Sequence, residues 1–259
     1  MAKIDPMHQF AIQKIVELPT IAGVDLSITN SVLAMLIAMA VICGFFALAT
    51  AKAAVVPGRL QSVGESLYLL VHDLADGIIG HEGKKFFPFV FTLFVLVMTM
   101  NMMGMSILVF TPTSQLAVTC TLALLTIALV LIVGFARNGL GFFKLFVPSG
   151  VPWYMLILVT PIEVISFLLR PVTLALRLFG NMLGGHVAMK VFAGFVVSLA
   201  ALAAGGGVAL LGYPAAALAL SGVVALTALE FLVAFLQAFV FAVLACVYLN
   251  DVVNLGHHH

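Results

Sequence analysis

The chain has 259 residues, 64% of them hydrophobic and only 8% charged, with a formal net charge of +1. A soluble domain is about 45–50% apolar and about 25% charged, so composition excludes a soluble globular protein, and the absence of a basic excess excludes a nucleic-acid partner. Apolar runs of about 20 residues point to membrane-spanning helices rather than a barrel, and the expected fold is an all-α polytopic membrane protein with the lipid bilayer as its solvent. The three cysteines, Cys43, Cys120 and Cys246, lie far apart in apolar runs. They read as small buried hydrophobes, not as a disulfide or metal ligands, and no cofactor is expected.

Residues 1–28 form an N-terminal segment in which Lys3 and Lys14 are set against Asp5, Glu17 and Asp25. The first apolar run ends in ALATAKAA, which has the look of a signal-peptide cleavage site. The segment before it is not positive and is about twice the usual length, whereas Lys52 and Arg59 follow the run. Span one, 29–50, is therefore expected to be retained, with the N-terminus outside. Residues 59–80, RLQSVGESLYLLVHDLADGIIG, place Leu and Ile at helical spacing among charges and read as an amphipathic surface helix. His72, Asp73 and Asp76 within it, and His81 and Glu82 after it, read as solvated groups rather than a metal site. A helical hairpin over 86–136 comes next. Span two, 86–110, follows Lys84 and Lys85; the chargeless turn TPTSQ leads to span three, 115–136, which ends at Arg137 and Lys144. The loop cations thus fall on one side, the cytoplasm by the positive-inside rule.

From Trp153 to Ala203 no polar turn interrupts the apolar run. As continuous helix it would be about 76 Å long against a hydrocarbon core of about 30 Å. Either it is two spans with a turn near Pro171, or it is one strongly tilted helix. Gly205, Gly206, Gly207, Gly212 and Pro214 mark a turn, and a second long apolar run covers 215–250. No repeat relates the two halves of the chain. His257, His258 and His259 are assigned no role.

The two long runs contain few ionisable residues: Glu163, Arg170, Arg177, His186 and Lys190, then Glu230. A charge at mid-helix costs about 2.5–3.5 kcal/mol on insertion scales and persists mainly where it faces a bundle interior or a wet cavity. A structural ion pair or snorkelling is the alternative, and the favoured one for Arg170 and Lys190. At about 100° per residue Glu163, Arg170 and Arg177 share a stripe, with Asn181 next to it, while His186 faces the other way. Glu230 and Gln237 share a face of the second run. If the runs form an antiparallel hairpin, one register sets His186 level with Glu230 and Arg177 level with Gln237. Gly180 and Gly184 form a GxxxG pattern, with Gly185 and Ala188 nearby, where another helix can approach. Asn181 and Gln237 can also be read as helix cross-links, and His186 as a neutral histidine bonded to a helix carbonyl.

LRPVTLALRLFGNMLGGH at 169–186 closely resembles the signature of subunit a of the F-type ATP synthase, the stator of its membrane motor. NMMGM at 101–105, TPTSQLAVT at 111–119 and LQAFVFAVLACVYL at 236–249 extend the likeness over nearly the whole chain. The resemblance implies about five membrane helices, the last two a long, tilted hairpin curving against a rotating ring of c subunits, which favours the single-helix option. It places the family's essential arginine on Arg177, its asparagine on Asn181, its glutamine on Gln237, the facing histidine and acid on His186 and Glu230, and the early acid on Glu163. Gln115 departs from members that carry a carboxylate there. The resemblance further implies c-ring and peripheral-stalk b subunits as partners, a bacterial inner membrane with the C-terminus cytoplasmic, and proton relay rather than bond-making catalysis. No Walker A pattern occurs in the sequence. A stand-alone secondary transporter with its substrate around Arg177 is the alternative reading, and a purely structural scaffold a third.

Overall fold

The computed structural model describes residues 10–17, 27–51, 54–106, 110–147, 153–203 and 212–255. Lys3, Asp5, Asp25, Lys52, the Gly205–Gly207 turn and the terminal histidines lie outside the described residues. A short antiparallel ribbon, β1 (Lys14–Val16) with β2 (Ile28–Thr29), leads into α1 (Asn30–Thr50). Thr29 caps α1 by accepting a hydrogen bond from the Val32 amide at 3.4 Å, which satisfies one of the amides a helix start leaves free. Then come α2 (Arg59–Ile79), α3 (Gly83–Gly104), α4 (Leu116–Asn138), α5 (Trp153–Ala203) and α6 (Gly212–Val253).

Two glycines carry the sharp changes of direction. Gly80 (φ 76°) ends α2 and Gly139 (φ 52°) ends α4, both in the left-handed region that a Cβ disfavours. After Gly80 a single 3₁₀ turn, Gly80–Glu82, starts α3, so α2 folds back along the first turns of α3. Tyr68 and His72 meet the ring of Phe87, with centroids 4.7 and 5.7 Å away. His72 is thus half-buried between aromatic rings rather than solvated as the sequence suggested, while Asp73 and Asp76 are exposed. The apolar edge of α2 (Val71, Ala75, Ile79) joins the main core.

Helix α6 is the centre of the bundle. Ala234, Ala238 and Ala242 recur every fourth residue, all buried, and small side chains at that spacing let neighbouring backbones approach closely. Phe241, Ala245, Cys246, Leu249 and Val252 continue the core toward its C-terminus. Val90, Phe94 and Val97 of α3, Ala123 and Val130 of α4, and Leu174, Leu178 and Met182 of α5 close around it. Only Cys246 behaves as the buried hydrophobe expected of all three cysteines. Cys120 is half-buried and Cys43 is exposed, because α1 packs at the edge of the bundle and has most of its surface left for lipid.

The 153–203 run is one helix of 51 residues despite Pro161 and Pro171. Each proline removes one backbone hydrogen bond without ending the helix, a tolerance that neighbouring helices give in membranes. Its antiparallel packing on α6 runs from Arg170 beside Asp251, through Asn181 beside Gln237, to Met189 beside Thr227. A helix of that length exceeds a hydrocarbon core of about 30 Å, so it must lie tilted or protrude.

The two ends of the bundle differ. At one end Arg137 donates to Glu82 at 2.6 Å, Lys85 pairs with the same carboxylate at 3.0 Å, and Asn138 and Asn254 donate to the Val252 and Ile79 carbonyls. The other end carries the 111–115 turn and the N-terminal ribbon, with the Gln115 amide donating to the Phe10 carbonyl at 3.0 Å.

Candidate functional site

Of the polar groups predicted on the long helices, His186 faces Glu230 and Asn181 bonds Gln237, while Glu163 and Arg177 stand apart. His186 of α5 and Glu230 of α6 are 7% and 5% exposed, and the His186 Nδ1 lies 3.9 Å from Glu230 Oε2. That is too long for a direct hydrogen bond and short enough for one mobile atom to bridge. Gly185 makes the approach possible, since a Cβ there would overlap the Glu230 carboxylate. Both Glu230 oxygens are buried with no hydrogen-bond partner. A buried acid in that state calls for a proton, a water or a cation.

One turn nearer the middle of the hairpin, the Asn181 amide donates to Gln237 Oε1 at 3.0 Å. The expected level pairing of Arg177 with Gln237 is thus replaced by Asn181, four residues on. Gln237 is 4% exposed and its Nε2 has no partner.

The predicted stripe Glu163–Arg170–Arg177 divides into three different environments. Arg170 donates to Asp251 Oδ2 at 2.7 Å and its guanidinium lies over the rings of Tyr248 and Phe167, 4.9 and 5.5 Å from their centroids. This is a structural ion pair buttressed by cation–π contacts. Glu163 is half-buried, and no cation among the described residues pairs with it. Arg177 is exposed, with no carboxylate and no hydrogen-bond acceptor among the described residues. It shares its face of α5 with Thr173, Gly180, Asn181 and Gly184, all exposed. Gly180 and Gly184 have open space where a Cβ would stand. The GxxxG pattern therefore makes no contact with α6; Gly185 does that instead. Leu174, Ala175, Leu178 and Met182 turn that part of α5 into the bundle, while Arg177 stays exposed beside them, so the guanidinium lies on a face of α5 that the rest of the described chain leaves uncovered.

Sequence reasoning missed the groups on the third side of His186. Thr111 Oγ1 is 3.3 Å from His186 Nε2, and the Phe10 ring lies 6.2 Å from the imidazole. Asn101 of α3, fully buried, donates to the Ala234 carbonyl at 3.2 Å and leaves its own oxygen unpaired. The hydroxyl-rich TPTSQ turn was the available signal: Thr111, Thr113 and Ser114 are buried, which an ordinary polar turn would not be.

Five stretches long and apolar enough to cross a membrane, packed about a buried acid and histidine, define an all-α integral membrane protein with a polar site inside its helix bundle. Sequence comparison then gives the family. The chain belongs to the family described as ATP synthase A chain, which matches residues 32–250. ATP synthase subunit a of Mesorhizobium japonicum (strain LMG 29417 / CECT 9101 / MAFF 303099) is 52% identical over 255 residues, covering 98% of each chain. ATP synthase subunit a of Allorhizobium ampelinum is 54% identical over 254 residues, covering 98% of this chain and 99% of the relative. That of Rhodopseudomonas palustris (strain BisB18) is 53% identical over 254 residues, covering 98% and 100%.

Proposed function

We propose that this chain is the proton-translocating stator of the membrane sector of an F-type ATP synthase. It carries two aqueous half-channels and an arginine that deprotonates the carboxylates of a rotating c-ring. The observation that carries the reading is Arg177: a guanidinium on an uncovered face of a membrane helix, with no counter-charge among the described residues of its own chain. Such a group is always charged and too costly to leave facing lipid, so its partner comes from another subunit. Gly180 and Gly184 beside it leave room for a second helix at close range.

The chemistry follows from solvation. A ring carboxylate within the bilayer prefers its protonated form because desolvation disfavours charge. Beside Arg177 the ionised form is favoured, so each carboxylate gives up its proton on arrival and takes one on departure. The same fixed charge repels a proton trying to pass straight between the half-channels. Glu230 and His186 supply the outer path, and the unpartnered Glu230 oxygens suit a proton in transit. Glu163, 23 residues before His186 on α5, lies about 34 Å from it along the helix axis and supplies the inner path. Asn181 and Gln237 join the hairpin at the depth between them. One charge crossing 100 mV is worth about 2.3 kcal/mol, and several crossings drive each synthesis event in a catalytic head elsewhere in the complex.

The clustering of Glu82, Lys85, Arg137 and Asp251 at one end of the bundle supports placing that end, with the C-terminus, in the cytoplasm and the N-terminus outside. The bacterial relatives support a bacterial inner membrane, with c-ring and peripheral-stalk b subunits as partners. Arg177→Ala in the whole complex is the test. Proton-driven ATP synthesis is expected to disappear while the complex still assembles, and synthesis at the normal rate would refute the assignment.

A further inference from the structure

The geometry points to Thr111 as a positioning residue for the proton relay: its hydroxyl selects the tautomer of His186 that turns a bare Nδ1 toward Glu230. This rests on the translocation reading above and deepens it.

Gly104 is the last residue of α3, so its carbonyl is one of those a helix end leaves without a partner. The Thr111 hydroxyl donates to that carbonyl at 3.1 Å. A hydroxyl has one hydrogen, and this bond uses it. Toward His186 Nε2, 3.3 Å away, Thr111 can then only accept. Nε2 must therefore carry the hydrogen, and in the neutral ring Nδ1 is the bare nitrogen. Nδ1 is the atom that faces Glu230 Oε2 at 3.9 Å. A proton held by the Glu230 carboxyl thus meets a lone pair rather than a competing N–H. When the two groups draw together and it moves to Nδ1, the imidazolium donates from Nε2 to Thr111 and from Nδ1 to the ionised carboxylate. The proton then leaves Nδ1 to a water of the outer half-channel, and a second proton from that water path re-protonates Glu230, so Nε2 keeps its hydrogen on Thr111 and the ring returns to its starting tautomer.

The arrangement is built rather than incidental. Thr111 is 7% exposed. Its own carbonyl is held by the Ser114 hydroxyl at 2.7 Å, and a Cβ at Gly104 would press into the Thr111 side chain, 2.9 Å from its hydroxyl oxygen. The turn and the helix end are fitted to each other around one oxygen.

The experiment uses the whole synthase in native membranes, with Thr111→Val (shape kept, hydroxyl lost), Thr111→Ser (hydroxyl kept, methyl lost) and Arg177→Ala in parallel. Thr111→Val is expected to lower proton-driven ATP synthesis about tenfold, the worth of one buried hydrogen bond. Thr111→Ser is expected to stay within about twofold of the parent, since the bond survives. Equal losses in Val and Ser, or full synthesis in Val, would overturn the role of Thr111. Full synthesis in Arg177→Ala would overturn the translocation reading itself and this role with it. Nitrogen-15 resonances of His186 in the purified parent complex give an independent readout, usable even if Thr111→Val does not assemble. The neutral ring is expected to be protonated on Nε2, and protonation on Nδ1 would overturn the proposal.

Discussion

His186 and Glu230 stand 3.9 Å apart on antiparallel helices, and the absence of a side chain at Gly185 is what admits the carboxylate. Gly185→Ala is therefore expected to move Glu230 away from the imidazole without removing either group. Proton-driven synthesis should fall by at least about tenfold, since a misplacement of an ångström is costly in a positioned site. Gly180→Ala, at a position with open space inside this chain, should leave the His186–Glu230 separation unchanged. Synthesis rates in assembled complexes, with a structure of each variant, check both statements.

The Asn181–Gln237 bond predicts coupling between the two helices of the hairpin. Each single change to Ala leaves the other amide without its partner, so the double variant should lose less than the two singles together. The interaction free energy should be about 0.5–1.5 kcal/mol, read from a cycle of synthesis rates and of thermal stabilities. Strict additivity in both would mean that the bond does nothing.

Arg170 and Arg177 are seven residues apart and are expected to answer mutation differently. Arg170 is paired with Asp251 and stacked over Tyr248, and the two charged side chains remain 24% and 29% exposed. Asp251→Asn should therefore cost about 1 kcal/mol of stability after solvent screening, with coupled synthesis retained. Arg170→Lys should cost more, because it loses the planar guanidinium contact with the rings as well as the Nη1 hydrogen bond to the carboxylate. A melting curve beside an activity assay separates these effects.

Gly134 of α4 lies against the Phe142 ring, 2.6 Å from where a Cβ would stand, and against Val252 of α6 at 3.2 Å. Gly134→Ala should force α4 away from the C-terminal part of α6 and cost about 1–3 kcal/mol, the usual range for overpacking. The measurement is the thermal midpoint of the detergent-solubilised complex, and an unchanged midpoint would show that Phe142 yields freely.

Much of this was legible in the sequence, because a membrane simplifies the code. Length of apolar run gave the helices, and the rarity of charge made Arg177, His186 and Glu230 conspicuous. The antiparallel register put His186 level with Glu230 before any coordinates. Three matters were not legible. Helical angle alone placed Arg170 on the stripe of Arg177; the ion-pair reading favoured for Arg170 holds, but the angle could not name Asp251 as its partner or show that Arg170 turns inward while Arg177 stays outside. The GxxxG spelling marked Gly180 and Gly184 as places where another helix can approach, yet spacing does not say which face a helix offers to its own chain, and the close approach to Glu230 of α6 is made at Gly185. The role of Thr111 was not legible for a different reason, although the hydroxyl-rich turn that carries it was. A hydroxyl in a turn has no periodicity, and its neighbours Gly104 and His186 are 7 and 75 residues away. Only the packing of α3 against α5 brings them to one oxygen.

The central claim is that Arg177 owes its counter-charge to another subunit. A structure of the assembled complex at a resolution that shows side chains tests it most directly. The guanidinium is expected within about 4–6 Å of a ring carboxylate, with the Gly180–Gly184 face closed by the ring helix. A guanidinium paired instead with an acid of its own chain, or pointing into lipid headgroups with the ring elsewhere, would contradict the account.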